Sequence, residues 1–296
     1  MPLASPPIDR PLLDRRRRRA AARPDFAGVQ FLLEAAAQDL AERLSAVERR
    51  FEVAVDLASG GDAVAKALAG SPQIGRLVRI ERDAAFLKGA GGQSVVADEE
   101  ALPLAANSVD LVLSALSLQL TNDTPGVLIQ IQRALKPDGL LLAAMLGGET
   151  LNELRAALLS AEAELTGGAS PRVIPFVEVR DAGALLQRAG FALPVADQDR
   201  LTVRYDTMFG LMADLRAMGM ANMLGERSRR PGSRRFFLRA AEIYRERFAD
   251  PDGRVRATFD IVSLSGWKPH ASQQQPLQPG SAKASLAAAL NDRSGN

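Results

Sequence analysis

The 296-residue sequence contains no cysteine and one histidine, His270. Without cysteine there is no disulfide, no thiolate nucleophile and no cysteine-containing zinc site. One imidazole excludes a two-histidine iron or zinc site within a single chain. A Ser-His-Asp triad would have to run through His270, close to the tail. Strong charge of one sign is also missing: 37 Lys+Arg stand against 35 Asp+Glu, a formal balance of +2, which argues against a nucleic-acid binder. No apolar run approaches the roughly 20 residues that span a bilayer, and the N-terminus has no apolar signal core. Chemistry must then come from carboxylates, hydroxyls, arginines and a bound cofactor. No metal is expected.

A basic run, Arg15 to Arg19, lies in the first 25 residues, interrupted by Asp9, Asp14 and Asp25. Those acids break the pattern of a transit peptide, so a solvated basic segment leading into the first helix is expected, in a bacterial cytoplasmic protein; a mitochondrial matrix setting is the alternative.

From Val29 to Leu44 apolar residues recur at three and four, a helical stripe. Short apolar strands follow at Phe51–Leu57, 77–81, 94–97, 109–114 and 140–145, with helical segments at 63–69 and 125–135 between them. Strands alternating with helices predict parallel βαβ units with both sheet faces covered. The second half predicts helices at 149–165, 181–189, 208–218 and 236–248. Extended segments are expected at 192–205 and 255–267, and a basic exposed loop at 227–235. From Ala271 the sequence is rich in Gln, Pro, Ser and Ala, a mobile tail in which 284–290 could form a short helix.

In open α/β sheets, ligands lie beyond the carboxyl ends of the strands. The turn Asp56-Leu57-Ala58-Ser59-Gly60-Gly61-Asp62 follows the first strand, and Gly60 and Gly61 allow backbone to approach a ligand. Glu81 closes the second strand 21 positions after Gly60, where a carboxylate can accept from both hydroxyls of a ribose. Asp98 closes the third and can accept from an exocyclic amino group. Together these three features predict a nucleoside site.

The order of these pieces resembles the class I S-adenosylmethionine-dependent methyltransferases. Asp56 takes the acidic position of their first-strand signature and Gly60 the middle glycine, while Ala58 and Asp62 replace the flanking glycines. The resemblance implies S-adenosylmethionine as cofactor. It implies that Asp56, Ala58, Gly60 and Gly61 form its loop, with Glu81 on the ribose, Asp98 and Glu99 at the adenine, and Ser114 at the methionine end. A narrower likeness covers most of the chain. Leu146-Gly147-Gly148-Glu149-Thr150-Leu151, Leu185-Leu186-Gln187-Arg188-Ala189-Gly190-Phe191, Met208-Phe209-Gly210-Leu211-Met212 and Gly266-Trp267-Lys268-Pro269-His270 are similar to the methyltransferase-like assembly factors of respiratory complex I. Of that subfamily, the mitochondrial member is described as an arginine hydroxylase, and a malonyl-acyl-carrier O-methyltransferase is a relative. Gln119-Leu120 stands where the family commonly has His-Trp, so no histidine base is available there.

The implied fold is α/β: a Rossmann-like class I methyltransferase sheet, mostly parallel and seven-stranded, with helical cap insertions at about 147–175 and 206–250. The organisation is a basic segment at 1–25, the methyltransferase-like domain at 26–269, and a tail at 270–296. Expected lining for the acceptor pocket is Gln119, Asn122, Arg155, Tyr205, Tyr244 and Arg245, with the two arginines able to clamp a carboxylate or phosphate. The Met-rich stripe Met208–Met223 is read as a lid over that pocket, a partner surface or core. The expected function is S-adenosylmethionine-dependent methyl transfer in complex I assembly, with a complex I subunit as client and no nucleic acid. Arginine hydroxylation, a non-catalytic assembly chaperone and malonyl-carrier methylation are the alternatives.

Overall fold

The computed structural model describes residues 6–88, 92–168 and 170–274. The expected tail helix at 284–290 lies outside them. The sheet has seven strands in the order β3-β2-β1-β4-β5-β7-β6. They are β1 (Phe51–Leu57), β2 (Ile74–Glu81), β3 (Gln93–Val96), β4 (Val109–Ala115), β5 (Leu135–Leu146), β6 (Ala192–Tyr205) and β7 (Val255–Trp267). The first five run parallel, and β7 lies antiparallel to both β5 and β6. Strand order reverses between β1 and β4, which is where such a sheet opens a crevice.

Burial on both faces explains the largely apolar β4 and the unbroken apolar run 140–146 of β5. On one face Leu33, Ala36, Leu40 and Leu44 of helix α2 (Phe31–Ser45) pack on Phe51, Ala54, Leu111 and Leu142. Each such leucine contributes about 1.5–3 kcal/mol by leaving water. Helix α3 (Ala63–Ala67) follows the β1 turn on the same side. The other face takes α4 (Thr124–Ala134) and α6 (Val179–Arg188), through Val127, Leu128, Ile131, Ala182 and Leu186. Helix α4 starts where Asp123 accepts from the Gly126 amide, with Pro125 in its first turn. Helices α5 (Asn152–Thr166), α7 (Met208–Ala217) and α8 (Arg234–Phe248) build a third core with the β7 end of the sheet.

The N-terminal segment departs from expectation. Instead of a solvated run, Arg10–Ala21 form a helix, α1, packed on the molecule. Asp9 caps it, accepting from the Leu12 amide at 3.1 Å, and Leu13 is buried with Leu120 and Met223. The Asp9 amide donates to the Met223 carbonyl at 2.8 Å, and Ile8 pairs with Leu224. Arginines in the run have partners on other segments: Arg18 donates to Asp83 at 2.6 Å and Arg16 to the Ala221 carbonyl at 3.0 Å. The charge pattern alone looked solvated because its partners lie tens to hundreds of residues downstream.

Candidate functional site at the strand ends

The carboxyl ends of β1, β2 and β3 bring Asp56, Glu81, Asp98 and Glu99 to one edge of the sheet. Asp56 is fully buried and accepts from the Ser59 hydroxyl, whose oxygen in turn accepts from the Ala115 amide at 3.1 Å. Burial pushes the Asp56 carboxyl up to about 6, against the pull of Ser59 and Arg79. Glu81 accepts from the Gly60 amide at 2.6 Å. Burial raises it to about 7, opposed first by the Arg17 guanidinium. Glu81 and Gly60 are therefore adjacent, with the glycine backbone facing the carboxylate.

Gly60 has φ +74°, and a Cβ there would collide with the Arg17 guanidinium, so this position needs glycine. The two departures from the glycine pattern are accommodated. Ala58 adopts φ +56°, which costs about 1–2 kcal/mol, but its methyl joins the core with Val55, Leu57 and Ile80. Asp62 pairs with exposed Lys66 at 3.0 Å, at the start of α3. Neither side chain fills the crevice. Ser114 is different from expectation: its hydroxyl donates to the Leu57 carbonyl at 3.1 Å and meets Ser117 at 2.7 Å. It is completely buried and braces the end of β1 instead of facing a ligand.

Helix α1 lies across these acids. Arg10 donates to Asp98 at 2.7 Å and Glu99 at 2.6 Å and also pairs with Glu100. Arg82 adds a second cation, 3.7 Å from Glu99, and donates to Asp14 of α1 at 2.7 Å. Burial works to raise the Asp98 carboxyl, but the Glu100 amide, Arg10 and Arg82 hold it below its usual value. Glu99 is raised, by burial. Arg17, about 10 Å further along the helix axis, rests over the Phe86 ring at 4.7 Å beside Gly60. Glu99 Oε2 and Arg10 Nε are buried with no hydrogen-bond partner among the described residues. Those orphaned atoms, the Gly60 backbone once the Arg17 guanidinium moves off it, and two strand-end carboxylates fit a group that carries a vicinal diol, an amino-purine edge and a cation.

Beside the glycine turn lies a cavity of about 110 Å3. Arg17, Ser59, Gly60, Gln30 and Gln119 form its polar part. The rest is apolar, including Phe26, Leu116, Leu151, Ile174, Phe176, Met218, Met223 and Phe259. Gln119 donates to the Leu116 carbonyl at 2.8 Å, while its buried Oε1 has no partner among the described residues. No carboxylate or imidazole lines this chamber among the described residues.

Of the six expected lining residues, Gln119 alone borders the chamber. Asn122 instead clamps the N-terminal segment: its Oδ1 accepts from the Ile8 amide at 2.8 Å and its amide nitrogen donates back to the Ile8 carbonyl. Arg155 opens onto a separate cleft behind the Ile174–Phe176 segment, with Arg172 and Glu178. Tyr244 is wholly buried and donates to the Arg256 carbonyl at 2.7 Å. Tyr205 packs within the same third core, and Arg245 is exposed on α8. For Arg155, Tyr244 and Arg245 the cause is shared: α5 and α8 pack in the third core on the β7 end of the sheet. Of the Met stripe, Met208 is third-core packing, whereas Met218, Met220 and Met223 line the chamber.

Sequence reasoning missed Arg10, Arg17 and Arg79. The seven-residue spacing of Arg10 and Arg17, with buried Leu13 between, was a legible one-sided helix. Arg79 shares its strand parity with Glu81 inside an apolar run, which was also a signal.

Sheet order, glycine turn and strand-end acids define a class I methyltransferase-type protein. Residues 55–143 match the methyltransferase domain family. A Bacillus halodurans protein described as a methyltransferase shares the fold, at TM-score 0.55 and 18% identity over 79% of this chain and 99% of that one. The human mitochondrial arginine-hydroxylase NDUFAF5 is 41% identical over 94% of this chain and 82% of its own length. A malonyl-[acyl-carrier protein] O-methyltransferase of Laribacter hongkongensis is 40% identical over 63% of this chain and 60% of its own. The chain belongs to the family of the arginine-hydroxylase NDUFAF5 proteins.

Proposed function

We propose that the chain binds S-adenosylmethionine at the ends of β1, β2 and β3 and modifies a client of respiratory complex I by methyl transfer. The observation that carries the reading is the Glu81–Gly60 pair, a strand-end carboxylate locked against the glycine backbone. In this reading Glu81 accepts from the ribose hydroxyls, and Asp98 and Glu99 border the adenine once Arg10 yields part of its hold. Asp56 acts through Ser59 on the turn, and Gly60 and Gly61 give backbone access, with Ala58 fixing the bend that leads into them. When bound, the cofactor supplies a methyl group activated by its sulfonium. The chamber excludes water around that methyl and aligns the acceptor, which is most of what an in-line transfer needs. Gln119 Oε1 accepts one hydrogen bond from the acceptor. With no acid or imidazole on the wall among the described residues, these offer no general base there, and the fitting acceptor carries its own free lone pair.

Hydroxylation of a client arginine is the second reading, favoured by the 41% identity to a protein named for that activity. Among the described residues no three His, Asp or Glu side chains gather as metal ligands. The setting proposed is a bacterial cytoplasm, with the mitochondrial matrix as the alternative, the named relative being mitochondrial; no described helix is long and apolar enough to cross a membrane. Calorimetry with S-adenosylmethionine and S-adenosylhomocysteine tests the cofactor, and no heat at millimolar ligand refutes it. Mass spectrometry of a coexpressed complex I subunit separates the readings: a gained methylene supports methyl transfer, and a gained oxygen supports hydroxylation. An unmodified client that still requires this chain for assembly points to a chaperone.

A further inference from the structure

Arg79 is the most buried arginine in the described structure, at 2% exposure, inside β2. It stands directly opposite Asp56 in the parallel β1–β2 register, and Glu81 follows two positions later on the same face. Its Nη2 donates to two carbonyls: that of Gly61 in the glycine turn, and that of Phe86 after β2, at 2.9 Å. Its Nε lies 3.5 Å from Asp56 Oδ2. Arg79 does not line the chamber. One guanidinium therefore links the two loops between which Gly60 meets Glu81, and it sits beside two buried carboxylates.

We infer that Arg79 is a positioning residue for the nucleoside seat: it ties the glycine turn to the turn after β2 and holds Asp56 and Glu81 together as a charged pair. This rests on the cofactor reading above. The glycine turn here lacks two of the usual glycines, and Ala58 is held at φ +56°; the Gly61 tether keeps that strained turn in one shape. The Phe86 tether extends the effect, because Phe86 carries the Arg17 guanidinium that faces Gly60. Burial works against the charge on both acids, and the Arg79 cation favours it on both. Besides Arg79, the charged groups facing Glu81 from other elements are Arg17 of α1 and Asp56 of β1, and Asp56 is faced by Arg79 and Glu81 of β2.

The test is calorimetric titration of the full chain with S-adenosylhomocysteine from pH 5.5 to 8.5, on wild type, Arg79→Met and Arg79→Lys. Wild-type affinity should fall on acidification as the acids protonate. Arg79→Met should bind at least tenfold more weakly at pH 7, with the midpoint of that fall moved up by about one pH unit. Arg79→Lys keeps the charge but not the two-carbonyl tether, and should restore the midpoint while remaining weaker than wild type. A merely structural arginine would weaken binding by one factor at every pH. Arg79→Met within twofold of wild type at pH 7, or an unmoved midpoint, overturns the inference. Should Arg79→Met fail to fold by circular dichroism, Arg79→Lys decides: weaker binding at the wild-type midpoint supports the role, and wild-type affinity overturns it. Absence of binding by the wild type removes the cofactor reading itself and this role with it, a result distinct from equal binding by all three.

Discussion

Arg10→Met should release α1 without unfolding the sheet. Arg10 is 8% exposed and holds three carboxylates, Asp98, Glu99 and Glu100, with side-chain exposures of 43%, 5% and 24%. The exposed Asp98 pair contributes at most about 1 kcal/mol. The Glu99 pair is enclosed on both sides, and leaving that carboxylate with only Arg82, 3.7 Å away, costs up to about 3 kcal/mol. Methionine keeps the apolar stem, so the loss is mostly charge. The cost falls on the docked state of α1 because undocking lets water reach Glu99. About 3 kcal/mol is about a hundredfold in an opening equilibrium. Amide exchange read by mass spectrometry should therefore show protection in α1 falling by up to that factor, with β4 and β5 unchanged. Arg15→Met, on the exposed face of the same helix, is the control and should leave protection as in wild type. Protection of α1 within threefold of wild type would mean that the Arg10 cluster does not hold the helix. An equal fall in β4 would mean that it holds the whole domain.

Other outcomes follow from the same geometry. Glu81 and Asp56 are raised on folding, to about 7 and about 6, so the folded state binds more protons than the unfolded one between about pH 4 and 7. Stability from these groups is present below pH 4 to 5 and is lost as pH rises through 7; melting at pH 8 should fall several degrees below that at pH 6, and Glu81→Gln should flatten the difference. A slope of opposite sign in wild type would contradict the burial of these acids. Gly60→Ala should weaken S-adenosylhomocysteine binding more than tenfold, since the new methyl meets Arg17 at a left-handed φ. Ala58→Gly should shift stability by less than about 1 kcal/mol, because relief of about 1 kcal/mol of strain offsets about 0.8 kcal/mol for the lost buried methyl; a larger loss in urea denaturation refutes the placement of that methyl. Tyr244→Phe should cost about 1 kcal/mol of stability and leave nucleoside affinity as in wild type; reduced affinity would return Tyr244 to the site.

The sheet was legible in the sequence because its strands are buried on both faces: the runs at 109–114 and 140–145 could be placed to within a few residues. The glycine turn and Glu81 were legible for a related reason, since short-range spacing after a strand fixes where backbone and carboxylate fall. The acceptor side was not. Nothing local in Tyr244 distinguishes a ring pointing into a crevice from one closing a core, and the direction of α8 is set by contacts with β7 rather than by its own pattern. Arg10 and Arg17 were hidden for the opposite reason. Arg10 and the five-arginine run after it read as solvated until their acceptors, Asp98 and Glu99 for Arg10 and Asp83 for Arg18, are brought to the same edge by β2 and β3.

The docking of α1 also constrains the order in which the chain assembles. The arginine helix is made first, yet the Asp98 acceptor of Arg10 lies 88 residues downstream and the Ala221 acceptor of Arg16 lies 205 downstream. Its arginines therefore wait without partners while the sheet is synthesised, and loop closure across such separations comes after the local βαβ contacts. The helix that covers the strand-end acids then settles after those local contacts. A nascent or newly unfolded chain exposes those acids before it covers them, so refolding should admit a nucleoside faster than the finished protein does.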